Sequence, residues 1–229
     1  MKAMILAAGL GNRMRPLTLH TPKPLLQVAD KPLIVWHIEK LQKMGVNQIV
    51  INTAWLGDKL AAALGDGSQF GVEILWSHEG EGLETAGGII RALPLLGDDP
   101  FILVNGDVWS TMDFAPLQQI ELDRDLAHLV FVPNPVQHPQ GDFHLLDGRA
   151  YTFEQQKAGE ALTYSGIAVL SPEMFYGLEQ GKRPLAPLLR QAMHDERVAA
   201  EKMQGSWVDV GTPERLSALD QQIRQGLYD

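Results

Sequence analysis

The sequence predicts an α/β fold in which a doubly wound, mostly parallel sheet is followed by an antiparallel part. Through the first half of the chain, short apolar runs typical of buried strands alternate with segments of helical periodicity, which favours parallel strands joined by right-handed crossovers. In the second half, Asp147-Gly148 separates two short strand-like runs and indicates a two-residue hairpin. The length of 229 residues fits one large domain, and we predict a single domain over 1–229 with halves at about 1–110 and 111–229.

The first half supplies the parallel strands and the helices that connect them. Ile34, Ile38 and Leu41 recur at spacings of four and three, so one apolar stripe of a helix faces the sheet. The predicted strands are 3–7, 48–52, 72–76 and 101–104, and the predicted helices are 31–45, 56–64 and one that opens at Thr85.

The second half mixes strands with two further helices. Thr212, Pro213 and Glu214 supply an N-cap, a first-turn proline and a first-turn acid, so the last helix begins there. Three prolines within 133–139 interrupt the strand pattern. The predicted strands are 126–132, 143–146, 150–153, 199–203 and 206–210, and the predicted helices are 184–194 and 213–225.

Composition excludes several classes of function. The chain has no cysteine, which excludes disulfides and a thiolate nucleophile, and its seven histidines show no zinc-ligand spacing. No apolar run approaches the roughly 20 residues that span a bilayer, and a strand that starts at residue 3 leaves no room for a signal peptide. We therefore expect a cytoplasmic protein with no membrane partner.

The most informative stretch is the glycine-containing loop that follows the first predicted strand. Gly9 and Gly11 let bare backbone N–H groups approach an anion, and Arg13, Arg15 and Lys23 add positive charge nearby. Residues 1–29 carry a net charge of +4, whereas the whole chain carries −9, so the other 200 residues carry −13. A local cationic loop on an acidic protein indicates a small polyanion such as a nucleoside triphosphate, and not nucleic acid.

The spacing within this loop narrows the choice of nucleotide-binding motif. A dinucleotide fingerprint needs glycine where Met14 stands, and the Gly-Lys-Ser/Thr of a Walker loop is absent. The run from Gly9 to Thr18 followed by Pro22-Lys23-Pro24 resembles the signature G-x-G-x-R-x-x-P-x-T…PKP of the sugar-1-phosphate nucleotidyltransferases. The resemblance extends over nearly the whole chain. It implies a Rossmann-like nucleotidyltransferase sheet, with a nucleotide-binding first half and an antiparallel, sugar-binding second half.

The resemblance also implies a nucleotide site. A second segment, Leu83 to Gly87, resembles the L-G-T-A-G run that closes over the base in this family, but Glu84 stands where that run has glycine. The alternative for Thr85 is a simple helix N-cap. The residues implied for nucleotide binding are Leu6, Ala7, Ala8, Gly9, Gly11, Asn12, Arg13, Lys23, Glu79, Gly82, Thr85 and Gly87.

Two aspartates are candidates for a divalent cation. Asp107 follows a buried strand, where a carboxylate needs a cation, and Mg²⁺ bound together with substrate phosphates is the obvious one. Asp209 lies in Trp207-Val-Asp-Val-Gly-Thr-Pro, which resembles the family's W-x-D-x-G-T-P segment, whose aspartate is the second metal ligand. The alternative for both is a helix cap. The resemblance assigns catalysis to Arg15, Lys23, Asp107 and Asp209, with Mg²⁺ as cofactor.

The sugar-binding half matches the family only in part. The residues implied for the sugar are Asn105, Gly141, Glu154, Ser165 and Gly166. The family's E-K-P becomes Glu154-Gln-Gln, so the second phosphate-binding lysine is missing at that point, although Lys157 lies near.

Within the family, the opening run is most similar to members that use UTP and N-acetylmuramate 1-phosphate and act in cell-wall recycling. The alternatives are guanylyl transfer to mannose 1-phosphate and thymidylyl or uridylyl transfer to glucose 1-phosphate. A glycosyltransferase of similar sheet topology would need a D-x-D motif, but Asp107-Val108-Trp109 lacks the second aspartate. An inactive nucleotide sensor would be expected to have lost a metal or phosphate residue, and none of the four catalytic candidates is lost.

Overall fold

Nine strands form one mixed sheet that runs through most of the chain in a computed structural model, which describes residues 1–228. The strands in chain order are β1 (Lys2–Leu6), β2 (Gln27–Val28), β3 (Lys31–Pro32), β4 (Gln48–Thr53), β5 (Glu73–His78), β6 (Phe101–Asn105), β7 (Val108–Ser110), β8 (Ala127–Val132), β9 (Phe143–Leu146), β10 (Arg149–Tyr151), β11 (Glu160–Leu170), β12 (Val198–Lys202) and β13 (Trp207–Asp209). The helices are α1 (Leu33–Lys43), α2 (Gly57–Leu64), α3 (Glu84–Leu96), α4 (Ala186–His194) and α5 (Pro213–Arg224). Among these helices, none has the length and apolar character needed to cross a bilayer.

The strand order in the large sheet is β5-β4-β1-β6-β11-β8-β12-β10-β9. β5, β4, β1 and β6 are parallel neighbours, as the alternation of strands and helices predicts. β11 runs antiparallel between β6 and β8 and so joins the two halves, while β9 and β10 form the antiparallel hairpin. This mixed sheet with flanking helices confirms the predicted fold class.

The core lies on both faces of the sheet, because the central strands are buried on both sides. Ala3 and Ile5 of β1 pack into the cluster that includes α1 and α2, whereas Met4 packs into the cluster that includes α3 and α4. Alternation of side chains along a strand produces this division. Covered faces explain why β1 is a continuous apolar run instead of an alternating one.

A third, smaller cluster ties the end of the chain to its beginning. Met14, Leu33, Trp109, Val210 and Leu219 pack together, so α5 lies against the short strand pairs β2–β3 and β7–β13. Because Trp109 and Val210 of this cluster follow Asp107 and Asp209 closely in sequence, the cluster holds the segments that carry the two candidate metal ligands.

Some local predictions are confirmed and others are wrong. Asp147 and Gly148 have φ values of 49° and 75°, the left-handed conformation that a two-residue hairpin turn needs. The helix predicted at 31–45 begins later, because Lys31–Pro32 pairs with β2. The strand predicted at 150–153 ends at Tyr151, because Thr152 and Gln155 form a capping box that starts a 3₁₀ helix.

His37 on α1 is buried beneath the segment that follows β6. Its Nε2 lies 2.8 Å from the carbonyl oxygen of Val108, and its ring stacks on Phe114. Burial, with a smaller contribution from Lys40, lowers the pKa of His37 to about 4. The folded protein therefore keeps His37 neutral at pH values where the unfolded chain protonates it.

We expect this histidine to make folding sensitive to acid. Neutral His37 contributes roughly 3 kcal/mol to the free energy of unfolding. This contribution is fully present above about pH 6.5 and is lost as pH falls toward 4, because only the unfolded state gains the proton. Denaturant unfolding between pH 7 and 4 should show a flatter profile for His37→Gln than for the wild type. Parallel profiles for the two proteins would contradict the assignment.

Candidate functional site

A cavity of about 390 Å³ opens where β1 and β6 end, at the carboxyl edge of the parallel strands. Ligands of open α/β sheets bind at this edge. The loops after β1, β5 and β6 form its walls. Its lining residues are Leu6, Ala7, Ala8, Gly9, Leu10, Lys23, Pro24, Asn52, Glu79, Gly82, Leu83, Glu84, Thr85, Asn105, Gly106, Asp107 and Lys182.

The loop after β1 presents bare backbone to this cavity. No atom lies within 4 Å of where a Cβ of Gly9 would stand, and within residues 1–228 the N–H groups of 8–11 have no hydrogen-bond acceptor. Gly11, at φ 63°, packs against Thr18, whose hydroxyl donates to the Gly11 carbonyl at 2.7 Å. The loop is therefore held in place while its N–H groups remain available to an anion.

Lys23 and Asp107 meet in the same cavity although 84 positions separate them in sequence. Lys23 Nζ donates to Asp107 Oδ2 at 2.7 Å, and the lysine side chain is only 10% exposed. Lys23 stands between Pro22 and Pro24 at the start of the 3₁₀ helix Lys23–Leu25, which directs this lysine inward. The structure thus brings a cation and a carboxylate to the edge of the bare backbone loop.

Arg13 and Arg15 lie outside the set that lines this cavity. Both are exposed on either side of Met14, which is fully buried and anchors the short 3₁₀ helix Asn12–Met14. In the described chain neither arginine forms an ion pair. Gly11 and Asn12 likewise belong to the loop without lining the cavity.

Asp209 ends β13, directly beside β7. It pairs with Val108, and the N–H of Val210 donates to the Asp107 carbonyl at 2.9 Å, so the two aspartates lie on neighbouring backbones. The Asp209 carboxylate accepts from Arg215 at 2.6 Å and does not itself line the cavity. Thr212, and not Asp209, caps α5, since its hydroxyl accepts from the Arg215 N–H.

The donor set of the two aspartates fits a hard divalent cation. Lys23 and Arg215 each contact Oδ2 of one aspartate, and no group within residues 1–228 donates to either Oδ1. The described residues contain no cluster of three or more metal-binding side chains. Mg²⁺ needs only one or two carboxylates when phosphate oxygens and water complete its shell.

A buried series of hydrogen bonds forms the floor of the cavity, and one of its residues, Asn52, was not predicted as a site residue from the sequence. The Ala7 N–H donates to Asn52 Oδ1 at 2.7 Å, and Asn52 Nδ2 donates to Glu79 Oε1 at 2.6 Å. Glu79 Oε2 accepts from the Leu83 N–H at 2.8 Å. Asn52 could have been found from sequence, because it is a polar residue at the carboxyl end of an apolar strand.

Gly88 on α3 leaves room for the hydrogen-bonded side chains of Asn52 and Glu79. A Cβ there would lie 2.8 Å from Asn52 Nδ2 and would collide with Glu79 Oε1. We expect Gly88→Ala to lower the free energy of unfolding by about 1 kcal/mol, because overpacking costs more than alanine gains in a helix. Gly9→Ala is the matched control: its Cβ meets open space, so denaturant unfolding should be unchanged. Equal stabilities for the two variants would contradict this packing argument.

The segment that opens α3 divides between lining and packing residues. Gly82 and Thr85 line the cavity, whereas the Gly87 N–H donates to the Arg183 carbonyl at 3.1 Å and Gly87 packs against the 181–183 loop. Glu84, which replaces the family glycine, has φ 61°, a conformation that favours glycine. The backbone therefore adopts a conformation that would suit glycine at this position, although glutamate stands there.

A second cavity of about 530 Å³ adjoins the first and shares Glu84, Thr85 and Asn105 with it. Its other walls come from β9, β11 and the start of α4. The lining residues beyond the shared three are Asp142, Phe143, Tyr164, Pro184, Leu185, Ala186, Leu189 and Arg190.

Of the residues predicted for the sugar, Asn105 lines both cavities and the other four line neither. Gly166, at φ 80° in the bulge of β11, leaves room for the Asn105 side chain, because a Cβ would lie 2.6 Å from its Nδ2. Ser165 is buried, and its carbonyl accepts from Trp207 at 2.9 Å. Gly141 packs on the backbone of β11, and Glu154 is exposed on its 3₁₀ helix.

Known proteins resemble this chain over almost its whole length. A model of the nucleotidyl transferase family matches residues 2–226. The N-acetylmuramate alpha-1-phosphate uridylyltransferase of Neisseria meningitidis serogroup B is 53% identical over 221 residues, which is 94% of this chain and 95% of that protein. The enzyme of the same name from Caulobacter vibrioides is 30% identical, over 97% of each chain. A putative glucose-1-phosphate thymidylyltransferase from Bacillus anthracis has a similar structure, with a TM-score of 0.85 at 22% identity, over 98% of this chain and 95% of that one.

Proposed function

The chain belongs to the nucleotidyl transferase family, and we propose that it transfers uridine 5′-monophosphate from UTP to N-acetylmuramate 1-phosphate. The products would be UDP-N-acetylmuramate and pyrophosphate. Uridine and the sugar are proposed from the names of the two relatives that match this chain over almost its whole length. We place the reaction in cell-wall recycling in the cytoplasm.

The observation that carries this proposal is the convergence of Lys23, Asp107 and the open N–H groups of 8–10 at one cavity. This set suits a triphosphate, since it combines backbone donors, a fixed cation and a carboxylate that can share a divalent ion. A second cavity directly beside the first offers a place for the sugar.

The reaction is an in-line displacement at phosphorus. An oxygen of the sugar 1-phosphate forms a bond to the α-phosphorus of UTP, and the bond from that phosphorus to the bridging oxygen of the β-phosphate breaks. Pyrophosphate leaves with the electron pair. A phosphate monoester is already a competent nucleophile, so the protein needs to supply position and charge and not a general base.

We assign the charged residues of the first half to the triphosphate. Lys23 would lie at the α-phosphate, where negative charge increases in the transition state, and the N–H groups of Ala8 to Asn12 would hold the phosphate chain. Arg13 and Arg15 are exposed and unpaired in the described chain, so they are available to the β- and γ-phosphates that leave as pyrophosphate.

Asp107 and Asp209 are the residues that would hold Mg²⁺, through the oxygens that neither Lys23 nor Arg215 contacts. When bound, the ion would neutralise phosphate charge as the nucleophile approaches. Glu79, Gly82 and Thr85 would contact the base, since they line the first cavity on the loop that follows β5 and at the start of α3.

The test is a pyrophosphate-release panel with Mg²⁺, in which UTP, dTTP, GTP, ATP and CTP are each combined with several sugar 1-phosphates. We expect the highest rate with UTP and N-acetylmuramate 1-phosphate. A higher rate with GTP and mannose 1-phosphate, or with dTTP or UTP and glucose 1-phosphate, would select one of the alternatives instead. Release of a nucleoside diphosphate from a nucleotide sugar would indicate a glycosyltransferase, and no release from any pair would indicate a sensor.

A further inference from the structure

Arg190 is the one lysine or arginine among the residues that line the second cavity, and its guanidinium has no partner within residues 1–228. Arg190 lies on α4, is exposed, and lines the cavity together with two carboxylates, Glu84 and Asp142. Within residues 1–228 it makes no side-chain hydrogen bond and no ion pair within 4 Å. An arginine presents a planar fork of donors that matches a carboxylate.

The acids near Arg190 leave that fork free. Asp142 Oδ1 lies 3.0 Å from His138 Nε2, and Asp142 Oδ2 accepts from the Tyr164 N–H at 2.9 Å, so both of its oxygens have partners. Glu84 lies at the junction with the first cavity, 3.9 Å from Lys182. Glu154 lies close enough for Arg190 to contribute to lowering its pKa, after hydrogen bonds from its own backbone and Thr152, but it does not pair with Arg190.

The rest of the wall of the second cavity is mostly apolar, and it includes one hydrogen-bond donor without an acceptor in the described chain. Phe143, Leu185 and Leu189 supply hydrocarbon surface, which suits small methyl groups. The Tyr164 hydroxyl is buried and has no partner in the described chain, and burial raises its pKa, so it stays protonated and can donate to a ligand.

From this arrangement we propose that Arg190 recognises a carboxylate on the sugar and so determines specificity for acidic sugar 1-phosphates. The inference rests on the proposed function. N-acetylmuramate differs from N-acetylglucosamine by a lactyl ether, which adds one carboxylate and one methyl group. With the 1-phosphate directed toward Asp107 and Asn105, the lactyl group lies in the second cavity, with its carboxylate on Arg190 and its methyl group against the apolar wall.

The test compares two sugars that differ only in the lactyl group. Steady-state kinetics with UTP should use N-acetylmuramate 1-phosphate and N-acetylglucosamine 1-phosphate on the wild type, Arg190→Ala and Arg190→Lys. We expect Arg190→Ala to lower kcat/KM for the acidic sugar roughly ten- to hundredfold, mainly through KM, because a hydrogen bond to a charged group is lost. Its kcat/KM for N-acetylglucosamine 1-phosphate should stay unchanged, and Arg190→Lys should recover part of the loss.

Two controls make the result specific. Arg91→Ala removes another exposed arginine without an ion pair, from α3 and outside the second cavity, and should change neither sugar. The methyl ester of the lactyl carboxylate should bind the wild type as weakly as Arg190→Ala binds the acid. An equal loss for both sugars in Arg190→Ala, or no loss, overturns the inference while leaving the proposed function in place. A wild type that does not use N-acetylmuramate 1-phosphate overturns both.

Discussion

Lys23→Ala should lower turnover at least a hundredfold while the protein stays folded. The Lys23 ammonium is almost buried, 2.7 Å from Asp107, in the cavity that residues 8–10 of the bare backbone loop also line. A fixed charge in such a site stabilises the transition state without reorganisation, and removing one such contact costs on the order of 3–4 kcal/mol. A loss of that size corresponds to a factor of more than a hundred in rate. Pyrophosphate release measures the rate, and circular dichroism measures the fold.

The control for Lys23 is another lysine in an equally short ion pair. Lys31 Nζ lies 2.6 Å from Glu39, but on the surface and outside the cavity, so Lys31→Ala should retain full turnover. Lys23→Arg should keep the charge yet recover only part of the rate, because the guanidinium is larger than the ammonium and the Lys23 side chain is only 10% exposed. Wild-type turnover in Lys23→Ala would refute the role assigned to this residue.

Most of the fold could be predicted because the central strands are apolar and short. The longest strand, β11, was missed for a physical reason. Its middle contains Tyr164-Ser165-Gly166, where glycine and serine resemble a turn. In the structure the glycine forms a bulge that accommodates the Asn105 side chain of β6, a neighbour 61 positions earlier. Because a distant strand requires this glycine, the sequence around Gly166 does not indicate that it lies within a strand.

The candidate site likewise contains residues that the local sequence predicts and residues whose position depends on distant parts of the chain. Residues at the ends of predicted strands, such as Asp107 and Asn105, could be placed at the cavity because parallel strands end at one edge. The pairing of Asp209 with Arg215 could not be predicted, since it depends on how the chain turns from β13 into α5. Arg190 is one exposed residue of an amphipathic helix, and only the packing of α4 on β10 and β12 places it in a cavity that β9 and β11 also line.

Asp107→Ala should also lower turnover at least a hundredfold, for a different reason. Asp107 is the candidate metal ligand that lines the cavity, and it is held at the start of β7 by the N–H of Val210 and by Lys23. Its loss removes a carboxylate that would share the divalent ion with the phosphates, and it also leaves Lys23 without its counterion. Because the Lys23 side chain that remains is only 10% exposed, the second effect should cost stability as well, on the order of 1–3 kcal/mol.

Asp107→Asn separates these two effects. The amide oxygen can still accept the hydrogen bond from Lys23, so stability should be close to wild type, but a neutral amide is a poor ligand for Mg²⁺. Turnover should therefore fall as far as in Asp107→Ala, and the Mg²⁺ concentration for half-maximal rate should rise. Asp125→Asn is the matched control, since Arg149 engages that carboxylate at 2.6 and 3.0 Å outside the cavity, and it should lose stability without losing turnover. If Asp107→Asn kept the wild-type rate and Mg²⁺ dependence, the carboxylate would be only a partner that positions Lys23, and the metal would have to be held elsewhere.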